Sequence, residues 1–173
     1  MTGSYKAKPM SRNDIRRVVK TIKRIFGVET VLKFPIVEFF ENGLPILFKN
    51  FNFEILTIEE MPFKEGETFP LEQKIVIRED IYNKACAGDG RARFTIAHEI
   101  GHLILHTNET ISLCRMEGKV QLKPYENPEW QADTFAGELL ASSYLIKGLS
   151  DIEVKERCGV SISAARVQLR TAI

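Results

Sequence analysis

The stretch RFTIAHEIGHLILH, residues 93–106, decides how this chain reads, because it sets His98-Glu99-Ile100-Gly101-His102, an HExxH pattern, inside a strongly apolar run. On a helix of about 3.6 residues per turn, positions i and i+4 lie about 40° apart and about 6 Å along the axis, so His98 and His102 can offer imidazole nitrogens to one ion. Glu99 then sits beside that ion, where a carboxylate can take a proton from metal-activated water. This is the signature of a zinc peptidase. At about 100° per residue, Thr95, His98, Glu99, His102 and His106 share one arc of the helix, and Ile96, Ala97, Ile100, Leu103 and Ile104 take the opposite one. One face packs and the other meets a cleft.

His106 is spaced i+4 from His102 and forms a rival pair, but no Glu follows His102. A straight helix separates His98 from His106 by about 12 Å, so the three cannot share an ion. His106 is therefore expected as a cleft or packing residue. The chain has no other histidine, so a third ligand must be a carboxylate or a thiolate. The stretch NPEWQADTFAGELLAS, residues 127–142, supplies a carboxylate. Asn127 can cap, Pro128 suits the first helical position, and Ala132, Phe135, Ala136, Leu139 and Leu140 trace a core stripe. Glu129 lies near that stripe, Asp133 at its margin and Glu138 on the far side. An inward Glu129 needs a cation, either the metal or an arginine, and Asp133, one turn on, can hold a ligand imidazole. Cys114 is the thiolate alternative.

The runs IVIREDIYNKACAGDGRARFTIAHEIGHLILH (75–106) and PYENPEWQADTFAGELL (124–140) resemble the ImmA/IrrE family of metallopeptidases, in which HExxH is followed by a Glu preceding Ala-Asn or Ala-Asp, then Phe-Ala and Leu-Leu. The resemblance extends from about residue 11 to the C-terminus. It implies zinc or another divalent metal on His98, His102 and Glu129, with Glu99 as the catalytic base of a gluzincin-like endopeptidase. It also implies a protein substrate, a helix-turn-helix repressor of a phage, mobile element or stress regulon, so that cleavage is anti-repression. Many relatives carry Met-Pro where this chain has Ala141-Ser142, which puts the following loop in question and not the ligands.

Composition sets the frame. The 173 residues, 44% hydrophobic, can bury one core, and a net charge of +1 from 24 basic and 23 acidic residues supplies no global field for nucleic acid or anionic membrane. Cys86, Cys114 and Cys158 lack CxxC spacing and suit a reducing compartment. With neither a signal-peptide pattern nor a span of about 20 apolar residues, the expected location is the cytoplasm, away from membranes.

Residues 11–29 read as an amphipathic helix with Ile15, Val18, Val19, Ile22 and Phe26 inward, and with Arg12, Arg16, Arg17, Lys20, Lys23 and Arg24 on a solvated basic face. A helix starting at Pro35 should break at Asn42-Gly43. NFEILTI (52–58) and KIVIRED (74–80) read as strands joined by a loop, MPFKEGETFP (61–70). KIVIRED is either a buried central strand or a sheet edge beside the cleft, in which case residues such as Ile77 would align an extended substrate by strand addition. Arg91 and Arg93 are candidates to bind substrate carbonyls or to pair with a buried acid such as Asp133. The connection from 107 to 127 suggests a hairpin about Glu117-Gly118. Its Tyr125 would either stabilise an oxyanion or pack at the next helix start. Residues 151–170 read as helix, turn, helix; the second helix offers few base-reading side chains, so a packing or docking hairpin is expected over a DNA reader.

The expected fold is therefore α+β, a zincin-like metallopeptidase domain over residues 1–148 with a small sheet packed by helices, and a C-terminal helix-turn-helix-like hairpin at 149–173 packed on it. The alternative function is a non-proteolytic module on the same scaffold that regulates a repressor or antitoxin by binding.

Overall fold

The computed structural model describes residues 6–107, 111–112 and 122–172. A short strand, β1 (Lys6–Ala7), leads into α1 (Arg12–Ile25) through a capping box. Asp14 Oδ2 accepts from the Ser11 amide at 2.8 Å, and Ser11 Oγ accepts from the Asp14 amide at 3.2 Å. Next comes α2 (Ile36–Glu38), which does not break at Asn42-Gly43 as expected but runs through a π-helical turn, Phe39–Gly43, into α3 (Leu44–Leu47). The reason is local. A Cβ at position 43 would lie 2.4 Å from Phe39 Cδ2, so the glycine admits the Phe39 ring and the widened turn keeps both Phe39 and Phe40 in the core.

Three strands form the main sheet: β2 (Asn52–Leu56), β3 (Gly66–Phe69) and β4 (Lys74–Arg78), in the order β2-β4-β3. β2 runs parallel to β4, with Ile55 opposite Ile77; β3 runs antiparallel, with Gly66 opposite Ile77. One expectation is corrected here and one open choice is decided. The end of MPFKEGETFP is a strand and not loop, and KIVIRED supplies the central strand, so Ile77 is fully buried and β3 is the edge beside the cleft. β4 also ends at Arg78. Glu79 and Asp80 open α4 (Glu79–Cys86), where first-turn carboxylates meet the positive end of the helix dipole.

The metal-motif helix is α5 (Gly90–Leu105), capped by Asp89, whose carboxylate accepts from the Ala92 amide at 2.8 Å. After β5 (Ile111–Ser112), which pairs antiparallel with β1, comes α6 (Pro128–Leu140), capped by Asn127 with Pro128 at its first position. The hairpin expected about Glu117-Gly118 and the alternative ligand Cys114 lie outside the described residues. α5 and α6 are the packed centre: Ile96, Ile100 and Leu103 meet Phe135, Ala136 and Leu139, with Ile15 of α1 and Ile75 of β4 closing the core. Each fully buried aliphatic side chain there contributes about 1.5–3 kcal/mol.

The basic face of α1 is solvated as expected only at Arg17, Lys20 and Arg24; Arg12, Arg16 and Lys23 turn toward the far side of α6 and the loop after it. Lys23 is fully buried and donates to Ser142 Oγ at 2.7 Å; Arg16 Nε donates to Glu138 Oε1 at 2.9 Å, and Glu138 is itself buried. Ser142, one of the two departures from the relatives' pattern, thus anchors the loop that follows α6, donating to the Glu138 carbonyl at 2.7 Å.

The chain closes with α7 (Asp151–Cys158) and α8 (Ile162–Thr171), turned by Gly159 at φ +65°. This hairpin is sutured to the start of α5. A Cβ on Gly90 would lie 2.5 Å from the Val160 carbonyl carbon, and buried Arg93 donates to the carbonyls of Gly159 and Phe34 at 2.9 Å each. Among the described residues no helix is long and apolar enough to cross a membrane.

Candidate metal centre

Helix period alone brings His98 and His102 to one side of α5, with Nε2 atoms 2.9 Å apart. α6 crosses them and presents Glu129 from its first turn, Oε2 at 3.3 Å from His98 Nε2 and Oε1 at 3.4 Å from His102 Nε2. Contrary to the inward placement expected, the Glu129 side chain is 68% exposed and stands at the mouth of the cleft. Gly101 makes this approach possible: a Cβ there would lie 3.2 Å from both Cα and O of Ala132, closer than ordinary van der Waals contact.

The protons around these donors follow from the backbone. Gln131 Nε2 faces two main-chain carbonyls, Lys8 O at 2.9 Å and Tyr125 O at 2.8 Å, so it is the donor end of the amide. Gln131 Oε1 therefore accepts from His106 Nε2 at 3.0 Å, which leaves His106 Nδ1 to accept from His102 Nδ1 at 2.9 Å and the lone pair of His102 on Nε2. On the other side Asp133 Oδ1 accepts from His98 Nδ1 at 2.8 Å, leaving the lone pair of His98 on Nε2 as well. Burial and the neighbouring His102 push the His106 pKa down to about 4, which keeps it neutral in this relay.

Both lone pairs and a carboxylate thus converge on one point. The donor separations of 2.9, 3.3 and 3.4 Å match the roughly 3.3 Å edge of a tetrahedron with arms of about 2.0 Å, the geometry of zinc on nitrogen and oxygen. Electrostatics agree. Burial opposes charge on His98, yet Asp133 and Glu129 outweigh it and lift its pKa to about 9, so that without a cation His98 Nε2 holds a proton that a metal would displace, while the facing His102 and His98 rings hold Glu129 far below the usual carboxylate range. The point is a well for positive charge. His98, His102 and Glu129 fit a divalent cation with three protein donors and an open position.

Glu99 is mostly buried beside this point, its Oε2 2.6 Å from the hydroxyl of Thr68 on β3. β3 passes so close that a Cβ on Gly66 would lie 2.8 Å from Glu99 Cγ. A cleft of about 530 Å³ opens here, lined by Gly66, Glu67 and Thr68 on one side and by the two histidines and Glu129 on the other.

Four expected site residues lie elsewhere. Arg93 turns away from the cleft to hold the hairpin carbonyls, and Arg91 pairs with Glu65 at 2.9 Å. Ile77 is core beneath the sheet. The Tyr125 ring does not line the cleft; it is 40% exposed beside Lys123, and its contribution is the carbonyl that orients Gln131. Gln131 and Thr68 were missed by sequence reasoning. A glutamine two residues after Glu129 was the only available sign of the former, and a β-branched residue after Gly-Glu of the latter.

A family model described as the IrrE N-terminal-like domain, peptidase M78, matches residues 55–170, and the chain belongs to that family. No curated protein matches the chain. The membership makes this a metallopeptidase-like domain of α+β architecture.

Proposed function

We propose, with that membership as premise, that the protein is a zinc-dependent endopeptidase that cuts a partner protein. The observation that carries this reading is the convergence of two fixed imidazole lone pairs and the Glu129 carboxylate beside Glu99. Zinc held there supplies Lewis acidity, which acidifies water and polarises the scissile carbonyl. Glu99 takes the proton of the attacking water and returns it to the leaving amine. Thr68 fixes Glu99 Oε2 and leaves Oε1 for that exchange. The edge of β3 not paired with β4 aligns an extended segment by strand addition, with Gly66 keeping the backbone close to Glu99. By family resemblance the substrate is a helix-turn-helix repressor, and cleavage in the cytoplasm is anti-repression.

The test is to incubate the zinc-loaded protein with the repressor encoded beside it. A discrete fragment pair by mass spectrometry, absent with Glu99→Gln, is expected. Relief of operator binding that persists with Glu99→Gln and leaves the repressor intact would replace the peptidase by a binding module.

A further inference from the structure

Behind the metal cleft lies a second cavity of about 430 Å³, between α6, the first turns of α5 and the hairpin helix α8. The two cavities share no lining residue; the Asp133–His98 pair divides them, with Asp133 facing the second. Its walls are apolar and partly aromatic: Phe94 of α5, Trp130 of α6, and Ala164 and Val167 of α8, with Val167 left 54% exposed.

Two of its polar groups, Gln168 and Arg12, offer donors. Gln168 of α8 lines the cavity, is only 3% exposed, and its Nε2 has no hydrogen-bond partner among the described residues. The carboxamide packs against α6, where a Cβ on Gly137 would lie 2.7 Å from Gln168 Oε1. A buried unsatisfied amide carries a desolvation penalty that a ligand acceptor would remove. Arg12 adds an underused cation to the wall. Its carboxylate neighbour, Glu138, lies 4.0 Å away and is already engaged by Arg16 at 2.9 Å, while the Arg12 guanidinium lies 5.6 Å from the Trp130 ring centroid. The one carboxylate in the wall, Asp133, is engaged through Oδ1 by His98 Nδ1 at 2.8 Å. Flat apolar walls with two spare donors select an aromatic body carrying an acceptor, and beside a guanidinium the acceptor of choice is an anion.

We propose that this cavity is a binding site for a small aromatic carboxylic acid, separate from the peptidase cleft. The ring lies among Phe94, Trp130 and Val167, and the carboxylate accepts from Arg12 and Gln168. The volume lies within the range of small-molecule sites, about 300–1,000 Å³.

The probe is 2-naphthoate, titrated calorimetrically into metal-free protein so that the result does not depend on proteolysis or on zinc. Saturable one-to-one binding is expected, at least about tenfold tighter than for uncharged 2-naphthalenemethanol. Arg12→Gln should weaken it about tenfold or more. Gln168→Leu should do the same while raising the melting temperature, since it removes an unsatisfied buried amide. An absence of saturable binding at millimolar probe overturns the proposal. So does binding that both variants leave unchanged, or that the alcohol matches.

Discussion

Gly101→Ala asks whether the contact that brings the two halves of the metal site together is rigid. The new methyl would meet Phe135 Cδ1 at 3.1 Å and Ala132 Cα and O at 3.2 Å each, against roughly 3.5–4.0 Å for relaxed contact. Ala132 and Phe135 are fully enclosed, so α6 must retreat as a body by a few tenths of an ångström. Replacing glycine inside a helix gains about 0.8–1.0 kcal/mol, whereas overfilling a packed core costs about 1–3 kcal/mol. The balance is a net loss of about 0–2 kcal/mol. Moving α6 also moves Glu129 away from His102, and each 1.4 kcal/mol or so placed on that separation is a factor of about ten in zinc affinity. Urea unfolding of the metal-free protein, followed by the single Trp130 on α6, measures the first effect, and chelator competition measures the second. A variant about 1 kcal/mol more stable than the wild type, with unchanged zinc affinity, would show that helix propensity governs and that the contact is soft.

Four further outcomes are expected. Burial pulls the Lys23 pKa down from 10.5 to about 8, so the folded state carries a penalty at neutral pH that fades as pH rises from 8 to 10.5. Lys23→Met should therefore stabilise by about 1–3 kcal/mol at pH 7, with the gap closing by pH 10.5 in parallel denaturant series; a gap constant with pH contradicts this. Asp133→Ala should lower zinc affinity about 10- to 100-fold by freeing the His98 ring, and an unchanged affinity in chelator titration would deny Asp133 that role. Thr68→Val should cost about 10- to 100-fold in kcat/KM at unchanged zinc content, from losing a hydrogen bond of about 1.5–3 kcal/mol to a carboxylate, whereas an equal loss of zinc would point to a ligand effect. Arg93→Met strips the hairpin carbonyls of their donor and should destabilise by about 2–4 kcal/mol without altering kinetics per folded molecule; altered KM would return Arg93 to the substrate site.

Local periodicity made much of this architecture legible. His98 and His102 share a face because four residues make about one turn, and the caps at Asp89, Asn127, Ser150 and Ser161 mark helix starts through their own side chains. What stayed hidden depends on distant partners. β3 is four residues long and half-covered on both faces, so it shows no alternation to distinguish it from loop. Lys23 belongs to a basic stripe by sequence and is buried only because Ser142 and Phe34 lie opposite. Arg93 comes three residues after Gly90, on the helix of the metal motif, but its carbonyl partners lie 59 and 66 residues away. The role of Gln131 depends on carbonyls at positions 8 and 125, which no side-chain pattern encodes.

That glutamine gives the cleft its polarity. Were its carboxamide turned over, every proton along the row would step one place: His106 would donate to His102, and His102 Nε2 would carry a hydrogen and repel a cation. The turn would set Gln131 Oε1 against the main-chain oxygens of Lys8 and Tyr125, oxygen facing oxygen at under 3 Å, which disfavours the inverted row. Because the two oxygens belong to the main chain, exchanging the side chains at Lys8 or Tyr125 leaves them in place. The order of hydrogens that readies His102 for an ion is thus inherited from the path of the backbone.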